Sequence, residues 1–281
     1  MATPLRQALG VPPGPVDLRT IDTTATPGAP GDKDETAEAH DVAADDLATL
    51  QEQLYAAAQA EDSPKRLLLV LQGMDTSGKD GAIKRGLSGM NPSWMHIKGF
   101  SAPTEEELRH DFLWRVRKEV PPPGVVGVFS RSHYEDVVAV RVRGIAPEEV
   151  WRPRFDEINA FEAEIAAAGT AIVKVFLHIS RDYQRDRQLR RLDRDDKRWK
   201  FDAGDLDDRD RWDDYMTAYG EAIERCNTPA APWFVVPGDR KWYRNWAVAE
   251  LVRETLGDLD LHWPLRPDLD VDALRARLLD G

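Results

Sequence analysis

Cysteine is almost absent. Cys226 stands alone in 281 residues, which excludes an internal disulfide framework and any zinc cluster built from thiolates. On a helical stretch it reads as a buried filler rather than a nucleophile. Long apolar runs are missing as well: the longest, residues 67–71, falls far short of the roughly 20 residues that a membrane helix needs. No basic stretch followed by an apolar segment and a small-residue cleavage site opens the chain, so nothing marks it for secretion and a cytoplasmic location is the expectation. Positive charge is also scarce. With 38 Lys and Arg against 50 Asp and Glu the net charge is −12, which argues against general nucleic-acid or anionic-membrane binding.

The deficit is unevenly spread. Residues 1–62 hold 3 basic and 12 acidic side chains and residues 256–281 hold 3 and 6, so the tails supply the whole excess and residues 63–255 balance. Within that balanced middle, residues 181–200 carry nine Arg and Lys against five Asp. One basic segment in an acidic chain suggests a localised anion site.

Residues 1–40 read as an extended or partly disordered arm rich in Pro, Gly, Thr and Asp. An amphipathic helix over 41–60 follows on the spacing of Val42, Leu47, Leu50, Leu54 and Ala58. Short apolar runs at 65–72, 94–98, 125–129, 171–179 and 233–237 read as strands, with helices expected over 81–87, 104–119, 147–168, 206–226 and 244–256. This alternation implies an α/β, doubly wound parallel sheet with helices on both faces, spanning 41–264 and followed by a tail helix at 265–281. Ligands of such sheets sit at the carboxyl ends of strands.

Three segments carry chemistry there. Residues 73–80 (GMDTSGKD) fit the first seven positions of a P-loop between a strand and a helix. In such a loop Gly73, Ser77, Gly78 and Asp80 shape a backbone cradle for phosphate, and Lys79 reaches the terminal phosphates. The alternative is a glycine-rich turn needed only for tight packing. Asp80 replaces the usual metal-binding hydroxyl, and Asp75 places a carboxylate inside an anion cradle, which calls for a cation such as Mg²⁺ between it and phosphate. After the third strand, Arg131 could clamp a phosphoryl group while Glu135 and Asp136 hold metal or orient an acceptor, although an acidic helix start reads the same way. His133 reads as structural. Residues 181–205 read as a helical lid closing over phosphates or as a solvated face laced with ion pairs.

The blocks LQGMDTSGKDGAIK (71–84), KGFSAPTEEELRHDFLWR (98–115), RSHYEDV (131–137), RLDRDDKRWKF (191–201), RWDDYMTAY (211–219) and DRKWYRNWAV (239–248) together resemble the family-2 polyphosphate kinases. The resemblance implies a P-loop kinase-like fold similar to thymidylate kinase and Mg²⁺-dependent phosphoryl transfer between inorganic polyphosphate and nucleotides. It places Asp75 and Asp136 near the metal, Lys79 on the phosphates and Arg131 at the transferring group, with Arg191, Lys197 and Lys200 of the lid on polyphosphate; Arg187, in the same basic segment, is a further phosphate-binding candidate. The RSHYEDV form resembles the branch that phosphorylates AMP and ADP, with Glu135 helping to admit the monophosphate, and Ser130 stands where that branch commonly has Asn. Thr104, Arg109 and Arg141 join Arg131 and Glu135 as nucleotide-binding candidates; for Thr104 and Arg109 an ordinary capped helix start is an equal reading. The expected partners are polyphosphate and adenine, or guanine, nucleotides, in a homodimer or homotetramer with no nucleic acid and no membrane. The rival readings are an ATP-dependent nucleoside monophosphate kinase and a catalytically silent polyphosphate-binding regulator.

Overall fold

The computed structural model describes residues 4–266 and 269–279. Its centre is a five-stranded sheet, every pairing parallel, made of β1 (Arg66–Gln72), β2 (Met95–Lys98), β3 (Val126–Ser130), β4 (Thr170–His178) and β5 (Trp233–Pro237) in the order β2-β3-β1-β4-β5. The helices are α1 (Leu5–Leu9), α2 (Lys33–Glu61), α3 (Lys79–Gly81), α4 (Trp114–Arg117), α5 (Ala139–Val142), α6 (Glu148–Trp151), α7 (Arg154–Ala167), α8 (Arg181–Leu192), α9 (Asp195–Arg198), α10 (Gly204–Asp210), α11 (Trp212–Cys226), α12 (Lys241–Gly257) and α13 (Val271–Leu279). No described helix is long and apolar enough to cross a membrane.

Strands β1, β3, β4 and β5 are mostly apolar because both faces are covered, whereas the edge strand β2 (MHIK) is only partly buried. Leu67, Leu69 and Leu71 of β1 pack with α2 and α12, whereas Leu68 and Val70 pack with α7 and α11. β1 lies between β3 and β4, so the chain's crossovers diverge there. The crevice at its carboxyl end is where this architecture holds ligands.

Several helical expectations need correction. Residues 1–40 are not an extended arm throughout: Leu5, Leu9 and Leu18 are buried, and α2 begins at Lys33. Asp32 starts it, accepting from the Asp34 and Glu35 amides while the Glu35 carboxylate takes the Asp32 N–H, a capping box that outweighs the weak apolar pattern ahead of Asp41. The helix expected over 104–119 collapses to a 3-10 turn, Glu107–Arg109, and α4; the Thr104–Glu107 capping box forms, but the Asp111 carboxylate accepts the Leu113 N–H and offers the chain a competing turn. Pro153, lacking an N–H, separates α6 from α7. The 206–226 helix divides at Arg211 into α10 and α11. The lid stretch is α8, a bend at 193–194, then α9. Of the expected tail helix, α13 lies within the described residues and buries no side chain; 267–268 and 280–281 lie outside them.

Candidate active site

The P-loop follows β1 directly. Gly73 (φ +144), Thr76 (φ +62) and Gly78 (φ +98) turn the chain through the left-handed region, and Cβ atoms at the two glycines would stand 2.6 Å from the Leu177 carbonyl oxygen and 1.9 Å from Arg244 Nη1. Both positions therefore require glycine. No side chain caps the start of α3, which leaves its amides free for an anion. Lys79 Nζ donates to the Gly73 carbonyl at 2.7 Å, folding back over the loop. Burial, and then the neighbouring Arg131, hold its pKa below the usual lysine value. Beneath the loop lies Arg244, only 3% exposed, which donates to the Ser77 carbonyl at 3.0 Å.

β3 delivers the second loop. Arg131 adopts φ +72 and its N–H reaches back to the Leu71 carbonyl, so this strained residue is tied to the strand that carries the P-loop. Its side chain is exposed. A 3-10 turn, His133–Asp136, then points His133 and Tyr134 into the core and Glu135 and Asp136 towards a cavity. Arg115 Nη2 meets Asp136 at 3.3 Å, and Arg154 donates to its carbonyl at 2.9 Å. Burial raises the pKa of Asp136 against the pull of these arginines and raises that of Glu135 against Lys79 and Arg131. With its amide oriented to satisfy its neighbours, Gln72 donates to Glu135 at 3.1 Å and accepts from Ser132.

The lid lies on the P-loop. Arg191 of α8 grips Asp75 at 2.8 Å and approaches Asp205 at 3.5 Å, and Lys200 stands 3.4 Å from Asp80. Asp205 sits beside Asp75; burial, then repulsion from that carboxylate, push its pKa up to about 7.

Two cavities open from these parts. A groove of about 820 Å³ is lined by eleven basic side chains, including Lys79, Arg131, Arg187, Arg190, Arg191, Arg194, Lys197, Lys200, Lys241 and Arg244, against two acids, Asp75 and Asp80. A second pocket, of about 290 Å³, has five carboxylates (Asp75, Glu135, Asp136, Asp205 and Asp208) and five cations (Lys79, Arg115, Arg131, Arg143 and Arg154) on its walls, with Phe100, Ile145, Val140, Tyr215 and Tyr219 as apolar surface. Asp75, Lys79, Phe100, Ser101 and Arg131 line both. The two cavities therefore meet at Lys79 and Arg131.

These residues suit a divalent cation carried by phosphate. No group of three or more acidic, His or Cys ligands converges among the described residues, so the site is no all-protein metal cage. Mg²⁺ however takes one or two carboxylates and fills the remaining positions with phosphate oxygens and water. Asp75 and Asp136 face one cavity with three further carboxylates, Glu135, Asp205 and Asp208, and the raised pKa of Asp205 registers its crowding against Asp75.

The structure brings Gly73, Asp75, Gly78, Lys79, Asp80, Arg131, Glu135 and Asp136 together with Arg187, Arg191, Lys197 and Lys200. Ser77 is fully buried behind the loop, its hydroxyl without a hydrogen-bond partner. Three candidates stand apart. Thr104 caps its own turn, Arg109 is exposed outside both cavities, and Arg141 pairs with Glu221 at 2.5 Å over the Trp151 ring. Arg143, two residues on, faces the pocket instead and is held by Asp208 and Tyr215. Sequence reasoning also passed over Arg115, Arg154, Asp205, Lys241 and Arg244. Arg115, Lys241 and Arg244 lie inside the blocks that carry the family resemblance, and that position was the only signal available for them.

The family model for polyphosphate kinase 2 matches residues 31–262. An AMP/ADP-polyphosphate phosphotransferase of Meiothermus ruber is 46% identical over 253 residues, covering 90% of this chain and 93% of that protein. An ADP-polyphosphate phosphotransferase of Rhodopseudomonas palustris is 40% identical over 230 residues, 78% of each chain. The crystal structure of polyphosphate kinase 2 from Arthrobacter aurescens TC1 superposes with a TM-score of 0.95 at 45% identity, covering all of this chain and 98% of that one.

Proposed function

Because the chain belongs to the polyphosphate kinase 2 family, we propose that its basic groove holds polyphosphate, its mixed-charge pocket holds AMP or ADP, and the phosphoryl group passes between them at Lys79 and Arg131. The reaction class is phosphoryl transfer between inorganic polyphosphate and nucleotides. The observation that carries the assignment of sites is the meeting of a cavity lined by eleven cations with a charge-balanced, partly aromatic one at those two side chains.

Positioning and charge carry the catalysis. The groove cations hold the donor chain in line, and Arg131 presents a planar fork to the transferring group. Lys79, fixed by the Gly73 carbonyl, neutralises charge on the terminal phosphates. Glu135 lies 3.1 Å from the Gln72 amide, which orients it towards the acceptor. The closed lid excludes water, so that transfer outruns hydrolysis. Asp75 and Asp136 are the residues that would hold Mg²⁺; when bound, it neutralises phosphate oxygens and lets these carboxylates sit beside a polyanion. The family resemblance also supports a homodimer or homotetramer, which light scattering of the purified protein tests.

The decisive experiment supplies Mg²⁺, long-chain polyphosphate and either AMP or ADP to the purified protein, with no other phosphate donor. ATP from both is the expected result. Transfer seen only when ATP is the donor would overturn the reading. Asp75→Asn should abolish transfer while polyphosphate still binds.

A further inference from the structure

Lys174 is the one charged side chain in the middle of β4, and it is completely buried. Its three donors are all used: Glu162 Oε2 of α7 at 2.5 Å, the Tyr134 hydroxyl at 2.8 Å and the Cys226 carbonyl at the end of α11 at 2.6 Å. Glu162, 1% exposed, takes the Tyr134 O–H on its other oxygen at 2.9 Å, with His133 Nε2 3.2 Å from the same atom. Trp233 and Phe161 close over the rings. Four elements of the fold are thus tied at one point beneath the loop that follows β3.

Stability does not account for this cluster. Taking two charges out of water costs several kcal/mol each, and well-packed apolar side chains of similar volume commonly match or exceed such a pair. The strand around Lys174 is apolar on both faces, so an apolar residue there would suit the sheet. The cluster does supply direction. The 3-10 turn His133–Asp136 is a single short turn with little stability of its own; its first two residues are bonded to Glu162 and Lys174, while its last two face the acceptor pocket.

We propose that Lys174 and Glu162 are positioning residues for phosphoryl transfer: by clamping His133 and Tyr134 they aim Arg131, Glu135 and Asp136 at the reacting groups. This inference rests on the site roles assigned to those three residues above. A displacement of about 1 Å at a transfer site costs up to roughly 100-fold in rate. The groove cations of α8 and α9 make no bond to the cluster, and Arg131 is one of eleven cations along that groove, so polyphosphate binding should change little.

The test compares the double variant Lys174→Met/Glu162→Gln, Tyr134→Phe and Arg131→Ala by kcat, KM for polyphosphate and melting temperature, in the purified full-length protein. The double variant removes both charges together and avoids leaving one unpaired in the core. The proposal expects a kcat loss of about 10- to 100-fold with KM for polyphosphate within about twofold, in protein that melts as a cooperative fold. Tyr134→Phe, lacking one hydroxyl, should lose kcat in the same sense. Wild-type kcat in the folded double variant overturns the proposal; if that variant does not fold, wild-type kcat in Tyr134→Phe does so. Full activity in Arg131→Ala would instead strike the site assignment itself, which keeps the two failures apart.

Discussion

Replacing Gly78 by alanine tests how tightly the phosphate cradle is bound to the body of the protein. At φ +98 a side chain strains the backbone by about 1–3 kcal/mol. The new Cβ would also lie 1.9 Å from Arg244 Nη1 and 2.4 Å from its Cζ, so the guanidinium must move. Arg244 has little freedom: it is 3% exposed and is held by the Ser77 carbonyl at 3.0 Å and Asn245 Oδ1 at 2.9 Å. A lost hydrogen bond to a buried charge costs about 1.5–3 kcal/mol. Together these give about 2.5–6 kcal/mol, or a melting temperature lower by roughly 10 °C at about 2–4 °C per kcal/mol. If the loop deforms to escape the clash, the loss appears as weaker polyphosphate binding. Gly144→Ala is the control, since it shares a positive φ of +64 but meets nothing within 4 Å. Calorimetry and steady-state kinetics on both variants read the two quantities. A Gly78→Ala protein matching Gly144→Ala in melting temperature and KM for polyphosphate would refute the coupling between Arg244 and the P-loop.

Asp205 has its pKa raised to about 7 from an ordinary 3.8, so the folded state favours its neutral form. Its contribution to stability is complete below pH 4 and is lost as pH rises through about 7. Melting of the Mg²⁺-free protein should therefore show Asp205→Asn gaining on the wild type between pH 5 and pH 8, and a constant difference would contradict the pairing with Asp75. Arg143→Ala should raise KM for the nucleotide by about tenfold or more, whereas Arg141→Ala should change it by less than about twofold; steady-state kinetics with AMP and ADP compare the two. Lys197→Ala together with Lys200→Ala should raise KM for polyphosphate and flatten its dependence on salt, because fewer charges then engage the polyanion. Kinetics across a salt series would show whether that slope changes.

The strands and the P-loop were legible because their signals are local. A continuous apolar run bounded by glycine states that both faces are covered, and GMDTSGKD states its chemistry in eight consecutive residues. Helix interruptions were less so: Asp111 and Arg211 break helices through turn and junction geometry that a 3.6-residue periodicity does not register. The pocket beside Lys79 and Arg131, proposed to hold the acceptor, was the least legible part. Arg141 and Arg143 lie in the same Arg-Val-Arg run, and α5 is so short that only the fold decides which one faces the cavity. Asp205 and Asp208 lie about 130 residues from Asp75, in an acidic helix that alone reads as a solvated face.

The same partition explains how a chain of net charge −12 handles a polyanion. Eleven cations face one groove while the tails carry the negative excess, so attraction is confined to a single track. The track ends where carboxylates join the walls. Beyond Lys79 and Arg131 the second cavity presents Glu135, Asp136, Asp205 and Asp208, but Arg115, Arg143 and Arg154 stand among them, Arg115 on Asp136 and Arg143 on Asp208. Charge there is offset pair by pair rather than stacked in one sign, so this cavity lacks the groove's pull on a long polyanion. Under the proposed assignment the nucleotide base lies against Phe100, Tyr215 and Tyr219. That assignment makes the junction at Lys79 and Arg131, rather than the length of the groove, the place where acceptor and donor are told apart.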